Sequence, residues 1–271
     1  MNRPYQHAFS RREQFIDFIQ RHPQSRDPAY LSEMVRGISE RGVLRTRRFG
    51  AQPVTVIGSN YREGIQAMGM PARCFALLDL LDEHTGSNPN AHVLCLEGLT
   101  AFASQMRLLY PQAICSEYAP TQEEQLRISP VPHVDVHDTQ FASGSFDAII
   151  SAEIFEHVPY LNKALSECRR ILRPEGQLIA TFPFAAGSER LIQRAVLENG
   201  EVKHLIQPPE YHGNPVRPEE GALVFQVPAW DILDQCQNAG FSSAQMLYIS
   251  DAERGIMQTE LDGLFVLRAV A

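Results

Sequence analysis

Two histidines stand where an imidazole could move a proton. His157 follows an apolar run, 146–151, and His212 lies in the segment PPEYHGNP beside Glu210. Histidine is the side chain whose ordinary pKa lies nearest neutrality, so either residue could remove a proton from a bound hydroxyl group. A structural or substrate-orienting role is the other interpretation of His157, and a hydrogen bond that fixes its loop is the other interpretation of His212.

A carboxylate with a defined place along the chain is the second chemical signal. Glu117 ends the apolar run 113–117. It follows Gly98 by about 20 residues, which is the spacing of carboxylates that bind ribose hydroxyls in nucleotide-binding βαβ units. An ionised carboxylate accepts both hydrogen bonds from such a diol. The alternative is a solvated glutamate at the end of a strand.

The loop that contains Gly98 has too few glycines to bind a dinucleotide. Gly98 is the only glycine in the segment LEGLTAFA, 96–103, whereas binding of a pyrophosphate typically uses the pattern G-x-G-x-x-G. The sequence therefore disfavours a nicotinamide oxidoreductase.

These residues need a scaffold that gathers the ends of several strands. After residue 88, short apolar runs alternate with helical patterns, as is typical of a parallel sheet with crossover helices. Strands are predicted at 92–96, 113–117, 133–136, 146–151, 177–182, 244–249 and 264–270, and helices at 100–109, 122–127, 161–172 and 230–239. The predicted fold class is α/β, with a Rossmann-like, mostly parallel seven-stranded sheet and helices on both faces. Ligands bind beyond the carboxyl ends of such strands.

Two regions fall outside this alternation. Helical spacing over 11–44 predicts two or three helices, and 61–83 predicts another. Residues 1–88 are therefore predicted to form a helical N-terminal extension that caps a main domain, 89–271. Residues 185–227 are rich in proline and break the rhythm. We expect an irregular insertion there, after a short helix at 189–197.

The segment from His133 to Phe184 strongly resembles the second half of the catalytic domain of class I S-adenosylmethionine-dependent methyltransferases, and the resemblance extends from His92 to the end of the chain. Its matching motifs are Asp135 after a strand, Ser145-Phe146-Asp147, Glu156-His157-Val158 and Leu172-Arg173-Pro174-Glu175-Gly176. The segments SEY, 116–118, and PPEYHGNP, 208–215, resemble a bacterial branch associated with glycan or small-molecule biosynthesis.

The resemblance implies S-adenosyl-L-methionine as the cofactor and a set of residues that hold it. Glu117 would bind the ribose hydroxyls, Asp135 would accept from the adenine amino group, and the Val136 amide would meet a ring nitrogen. Backbone at 97–100 would lie by the methionine part and backbone at 151–153 beside the sulfonium. The implied cofactor-binding residues are Glu97, Gly98, Thr100, Glu117, Tyr118, Asp135, Val136, Ser151, Ala152 and Glu153, and no metal site is expected.

The expected function is methyl transfer to a small-molecule or sugar acceptor, with O-methylation preferred and N-methylation left open. The candidate catalytic residues are His212 and His157, and the insertion at 185–227 would form much of the acceptor pocket. The first loop departs from the family pattern, because Cys95, Glu97, Leu99 and Ala101 stand where an acidic strand residue and several glycines are common. The alternative is therefore a non-catalytic descendant of the fold that serves as a binding or partner module.

Composition limits the partners. Lys and Arg number 24 against 32 Asp and Glu, and the net charge of −8 disfavours nucleic acid and anionic membrane surfaces.

The chain has no apolar run long enough to span a membrane and no apolar leader, so a cytoplasmic location is expected. The five cysteines have no metal-ligand spacing and are expected to be reduced core residues. A homodimer is left open.

Overall fold

The computed structural model describes residues 4–271. The helices are α1 (Arg12–Arg21), α2 (Pro28–Arg41), α3 (Tyr61–Gly64), α4 (Ala72–Thr85), α5 (Ala101–Leu109), α6 (Gln122–Ile128), α7 (Leu161–Ile171) and α8 (Ile232–Asn238). The strands are β1 (Tyr5–Phe9), β2 (Val43–Thr46), β3 (Gly50–Pro53), β4 (Thr55–Val56), β5 (Ile65–Ala67), β6 (Met70–Pro71), β7 (Val93–Cys95), β8 (Ile114–Cys115), β9 (Phe146–Ala152), β10 (Leu172–Thr181), β11 (Ile192–Gln193), β12 (Ala195–Glu198), β13 (Glu201–His204), β14 (Tyr211–His212), β15 (Ala222–Leu223), β16 (Gln226–Val227), β17 (Ser243–Ser250) and β18 (Leu264–Val270).

Seven strands form the central sheet in the order β1-β17-β18-β10-β9-β7-β8. The neighbours β8, β7, β9 and β10 run parallel, and β1 pairs antiparallel with β17 at one edge. The predicted fold class, a Rossmann-like and mostly parallel seven-stranded sheet, is confirmed. Strand β9 has the sequence FDAIISA and is almost entirely buried, as expected of a parallel strand that is covered on both faces.

The membership of the sheet differs from the prediction at one strand. Residues 133–136 form only an isolated bridge, which joins His133 to Glu117. The chain turns at Asp135, because its carboxylate accepts a hydrogen bond from the amide of His137 at 2.8 Å, and such local turns compete with a strand ladder. The seventh strand is β1, which lies within the region whose pattern predicted helices.

The described residues form two compact units. The first runs to Gly86 and includes Gln245–Leu267, and the second comprises Ser87–Ala244 with Arg268–Ala271. Across both units, residues 4–271 contain no helix with the length and apolar character that a membrane span requires. All five cysteines are buried and none forms a disulfide, as predicted.

The first unit contains strands as well as the predicted helices. The predicted helix over 61–83 is interrupted: residues 61–64 form α3, but residues 65–71 form the hairpin of β5 and β6. Met68 and Gly69 have φ values of 56° and 73°, so they form a two-residue hairpin turn between β5 and β6 rather than a helical turn. The helix that follows begins at Ala72. The aromatic core of the first unit includes Phe15 and Phe265, whose rings meet edge to face with centroids 5.0 Å apart.

The second unit contains the strands β7 to β10 and the segment 185–227. Helix α7 buries one face through residues spaced three and four apart, which are Leu161, Ala164, Leu165, Cys168 and Ile171. The predicted helix at 189–197 is wrong. Instead β12 and β13 form a hairpin whose turn is Asn199-Gly200, with φ values of 53° and 83°. Two further pairs, β11 with β16 and β14 with β15, order the rest of the insertion.

Candidate active site

Gly98 brings the loop after β7 against the end of β8. A Cβ atom at this position would lie 2.4 Å from Cγ1 of Val131 and 3.1 Å from the carbonyl oxygen of Cys115, so no larger residue fits without a shift of the loop. The Gly98 amide donates a hydrogen bond to Oε2 of Glu117 at 3.2 Å. The single glycine of this loop is therefore needed for close packing of the loop against the end of β8.

Glu117 is buried at the end of β8, where only 8% of it is exposed. It is not the solvated strand-end glutamate of the alternative interpretation. Burial raises the pKa of its carboxyl group, and the amides of Gly98, Tyr118 and Leu99 oppose that shift. A buried carboxylate that is held by backbone amides is pre-organised to accept further hydrogen bonds.

The other predicted cofactor residues of the first loop, Thr100 and Glu97, differ in their contacts and burial. Thr100 caps helix α5, and its hydroxyl group accepts a hydrogen bond from the Ala103 amide at 3.1 Å. Glu97 is partly buried. The guanidinium of Arg107 donates to the carbonyl oxygen of Gly98 at 2.7 Å and so ties the loop to α5.

The residues predicted to hold the adenine lie on the turn after residue 133. Asp135 contacts His137 twice through the same oxygen, Oδ1, with the amide and Nδ1 both at 2.8 Å. Val136 is buried, and Tyr118 is 53% exposed with its ring tilted against that of His133 at 5.6 Å between centroids. The Asp135 side chain is thus fixed in orientation, while the aromatic ring of Tyr118 faces outward.

The end of β9 has an unusual backbone. Glu153 has a φ value of 57°, in the left-handed region that is costly for residues other than glycine, and its amide donates to the Thr181 carbonyl oxygen at 2.9 Å. Ala152 and Ser151 precede it and are buried, and Oγ of Ser151 has no hydrogen-bond partner among residues 4–271. Backbone strain of this kind concentrates at functional sites, and it lies where the sulfonium is predicted to sit.

Just after this backbone, the buried Glu156 forms a cluster with the partly exposed His157 and His212. The Glu156 side chain is 0% exposed, and its Oε1 lies 3.7 Å from Nε2 of His157 and 3.6 Å from Nδ1 of His212. The two imidazole rings are perpendicular, with centroids 5.0 Å apart. Both candidate catalytic histidines therefore meet at one carboxylate, although they come from separate segments of the chain.

The insertion fixes this cluster in place. Glu156 and His157 lie in a short 3-10 helix, Phe155–His157. The side-chain amide of Gln226, at the start of β16, donates to the carbonyl oxygens of Phe155 and Val158, both at 2.7 Å. The Phe225 amide donates to the carbonyl oxygen of Glu156 at 2.8 Å. Because these bonds hold the backbone on both sides of Glu156, its carboxylate has a defined position.

Each histidine of the cluster also has an outer partner. Nδ1 of His157 lies 2.9 Å from the Leu223 carbonyl oxygen, and Nε2 of His212 lies 3.1 Å from Oε1 of Glu210. The carboxylate of Glu156, followed by that of Glu210, raises the pKa of His212 above its ordinary value, while burial opposes this shift. The hydrogen bond that was the structural interpretation of His212 is therefore present, and the ring faces Glu156 as well.

Sequence reasoning missed three residues of this site. Glu156 was part of a family motif but received no role, and Glu210 and Gln226 were not singled out for their contacts. The available signal was the acidic residue next to His157 in a segment that borders a buried strand. No local pattern could show that β14 brings His212 to the same carboxylate.

A family model described as a methyltransferase domain matches residues 96–180. No curated protein matches the chain. Solved structures similar to it include a methyltransferase from Galdieria sulphuraria, with 18% identity, a TM-score of 0.35 and alignment of 44% of this chain with 49% of that one. The present chain thus aligns with about half the length of that relative.

Two other similar structures align over more of their length. One is an S-adenosylmethionine-dependent methyltransferase from Mesorhizobium loti, with 14% identity, a TM-score of 0.46 and alignment of 74% of this chain with 98% of that one. The other is the 1,6-didemethyltoxoflavin-N1-methyltransferase of Burkholderia thailandensis, solved with 1,6-didemethyltoxoflavin and S-adenosylhomocysteine. For it the identity is 13%, the TM-score is 0.38, and 73% of this chain aligns with 77% of that one. Since these TM-scores are low, the assignment rests on the family match and the sheet.

The family match and the sheet point to the same class of protein. Residues 96–180 match a methyltransferase domain, in agreement with the class I S-adenosylmethionine-dependent methyltransferase that the resemblance in the sequence implied. S-adenosylmethionine is the cofactor of this class. The residues present fit it, because Glu117 is a buried carboxylate just after β8 and the Gly98 amide, on the loop after β7, holds that carboxylate in place.

Proposed function

We propose that this protein transfers the methyl group of S-adenosylmethionine to a hydroxyl group of a small-molecule or sugar acceptor. The observation that carries the proposal is the cluster of the buried Glu156 with the partly exposed His157 and His212, just beyond the end of β9. A hydroxyl acceptor must lose a proton. The side chains of the cluster can take that proton or lower the pKa of the hydroxyl group, and they follow the residues predicted to lie beside the sulfonium.

The cofactor side of the proposal uses the ends of β7, β8 and β9. Glu117 accepts hydrogen bonds from the ribose hydroxyls, and Asp135 accepts one from the adenine amino group through the carboxylate that His137 orients. The strained backbone at Glu153 and the buried Ser151 and Ala152 form the wall beside the sulfonium. Bound S-adenosylmethionine supplies an electrophilic methyl group, so these residues mainly need to hold it in line with the acceptor.

The acceptor side uses the insertion. His212 is the candidate base. Its Nε2 is held by Glu210, so Nδ1, on the side of Glu156, is the nitrogen that can take the proton of the acceptor. His157 is held by the Leu223 carbonyl oxygen and orients the same region. An amine acceptor can release its proton after transfer and has less need of such a cluster, so the arrangement favours O-methylation over N-methylation.

The class of acceptor is the finer part of the proposal. The similar structure from Burkholderia thailandensis is described with a small-molecule acceptor. The net charge of −8 opposes a nucleic-acid substrate. A small polar molecule or sugar is the acceptor that we propose, and a cytoplasmic location and a homodimer remain predictions.

Two measurements test the proposal. Titration calorimetry with S-adenosylmethionine should show micromolar binding, and incubation with methyl-labelled S-adenosylmethionine and a panel of phenols, sugars and amines should give a labelled methyl ether. Absence of cofactor binding would favour the non-catalytic binding module. Binding together with a methylated amine as the only product would overturn the choice of a hydroxyl acceptor.

A further inference from the structure

The carboxylate of Glu156 is an unusual feature for a folded protein. It is 0% exposed, and neither of its oxygens has a hydrogen-bond partner among residues 4–271. Buried carboxylates are normally paired, hydrogen-bonded or bound to a metal, because transfer of an unpaired charge from water into the protein interior is unfavourable. The nearest polar atoms are the two imidazole nitrogens at 3.6 and 3.7 Å, which is beyond hydrogen-bond distance.

In their neutral forms, the two histidines direct their protons away from Glu156. Nδ1 of His157 faces the Leu223 carbonyl oxygen, which can only accept, so this nitrogen carries the proton and Nε2 has a lone pair. Nε2 of His212 faces the Glu210 carboxylate in the same way, so Nδ1 of the neutral ring has a lone pair. In these neutral tautomers, Nε2 of His157 and Nδ1 of His212 direct their lone pairs toward the Glu156 carboxylate. The cluster therefore has three electron-pair donors that face one another.

We propose that Glu156, His157 and His212 bind a divalent first-row transition-metal cation such as Zn²⁺. One ligand atom from each residue lies within 4.8 Å of the others. Bonds of 2.0–2.2 Å to a tetrahedral zinc ion would separate neighbouring ligand atoms by about 3.4 Å, close to the two distances from Oε1 of Glu156. A small inward movement of the side chains completes such a site.

The outer partners match those of known metal sites. Histidine ligands of metals usually donate the proton of the other ring nitrogen to a carbonyl oxygen or a carboxylate, which fixes the tautomer and the ring orientation. His157 has the Leu223 carbonyl oxygen in this role and His212 has the Glu210 carboxylate. Gln226 fixes the backbone on both sides of the third ligand.

The donor set selects the class of metal. Two imidazoles and one carboxylate suit Zn²⁺, Fe²⁺, Co²⁺ or Mn²⁺, whereas Ca²⁺ and Mg²⁺ favour sites made mainly of oxygen atoms. Three protein ligands leave at least one coordination position open, which is typical of catalytic rather than structural sites. The sequence did not indicate this site, because its ligands lie in two segments that meet only in the fold.

A role for the cation follows if the proposed function holds, and this step rests on that function. A cation in the cluster binds the hydroxyl oxygen of the acceptor and lowers the pKa of that hydroxyl group. The proton leaves to solvent, the oxygen forms a bond to the methyl carbon, and the electron pair of the broken carbon-sulfur bond stays on sulfur to give S-adenosylhomocysteine. While the cation is bound, Nδ1 of His212 is a ligand and not a base.

Metal binding can be tested without an acceptor. Full-length protein is treated with a chelator, dialysed, and titrated with ZnCl₂ by calorimetry and with CoCl₂ by visible absorption, which reports the coordination of Co²⁺. The wild-type protein should bind one equivalent with micromolar or tighter affinity. His212→Gln and Glu156→Gln should each weaken binding at least 100-fold.

A matched variant and a folding control make the test decisive. His204→Gln changes another histidine of the insertion, on β13, that is outside the cluster, and it should bind the metal like the wild type. Circular dichroism checks that each variant is folded, and if Glu156→Gln is not, His212→Gln decides the matter. Equal affinity in the wild type and His212→Gln, or no binding in the wild type, overturns the metal site.

The failure of this inference can be told apart from failure of the proposed function. Titration with S-adenosylmethionine is carried out on the same preparations. Cofactor binding and methyl transfer without metal binding would overturn the metal site alone and leave His212 as the base. Metal binding by a protein that binds no S-adenosylmethionine would overturn the proposed function and support the metal site.

Discussion

Oε1 of Glu156 and Nδ1 of His212 lie 3.6 Å apart, and this contact joins the end of β9 to the hairpin of β14 and β15. The carboxylate is completely buried, whereas the histidine side chain is partly exposed. The pair thus has one member inside the protein and one that solvent or a ligand can reach. It links the insertion to the edge of the sheet at which ligands of α/β proteins bind.

His212→Ala should lower the rate of methyl transfer about 100-fold and leave the affinity for S-adenosylmethionine nearly unchanged. The residue lies on the acceptor side, whether it takes a proton or holds a cation. Turnover is measured with labelled S-adenosylmethionine on the acceptor found by the panel, and affinity by calorimetry. His204→Ala is the control. An equal loss of turnover in both variants would show that His212 has no special role.

Glu117→Ala should weaken binding of S-adenosylmethionine. Two charge-assisted hydrogen bonds to the ribose would be lost, each contributing about 1.5–3 kcal/mol. The expected loss of affinity, measured by calorimetry, is at least about 100-fold. Glu123→Ala, which changes an exposed glutamate in the first turn of α6, should bind like the wild type. Unchanged affinity in folded Glu117→Ala would remove this residue from the cofactor site.

Gly98→Ala should destabilise the protein by about 1–3 kcal/mol, because the added methyl group meets Val131 and the Cys115 backbone. Cofactor affinity should fall as well, since the loop after β7 must move. Urea denaturation and calorimetry measure the two effects. Gly187→Ala is the matched control, as no atom lies within 4 Å of its added Cβ and its φ is not positive. Equal stability of the two variants would contradict the packing argument.

Glu167 should make stability depend on pH. The Arg170 guanidinium, followed by the hydroxyl and amide groups of Thr139, lowers its pKa to about 2. A carboxyl group whose pKa is lower in the folded state stabilises the fold above its unfolded pKa, near 4.3, and this contribution is lost as the pH falls toward about 2. The Glu167 side chain is 11% exposed and that of Arg170 is 39% exposed, so solvent screens part of the interaction.

Glu167→Gln should therefore lower the free energy of unfolding by about 1 kcal/mol at pH 7. The difference from the wild type should shrink between pH 4.3 and about 2. Urea denaturation at several pH values measures this, with Glu123→Gln as the control. A difference that stays constant down to the lowest pH would show that the lost contact is not electrostatic.

The sequence predicts those parts of the fold whose patterns are local. The apolar run of β9 and the spaced apolar face of α7 were found because periodicity and burial go together. The hairpin turn at Asn199-Gly200 was missed, although Asn-Gly is a strong signal of a two-residue turn. The helical spacing near the N-terminus gave no sign of β1, because its partner β17 lies at the other end of the chain.

The residues of the candidate site were likewise predictable only where their signal is local in the sequence. Glu117 and Gly98 were singled out because strand ends and loop glycines can be read from short segments. The burial of Glu156 and its contact with His212 could not be read, since they depend on pairing within the insertion. The outer partners, Leu223 and Glu210, belong to that same tertiary arrangement.

The most direct test of the account is a crystal structure of the protein with S-adenosylhomocysteine. The account predicts the ribose hydroxyls on Glu117, the adenine beside Asp135 and Val136, and the sulfur atom next to Ser151–Glu153, on the side that faces His212. Density for the nucleoside at any other place on the protein would contradict it, as would a failure to bind S-adenosylhomocysteine at millimolar concentration.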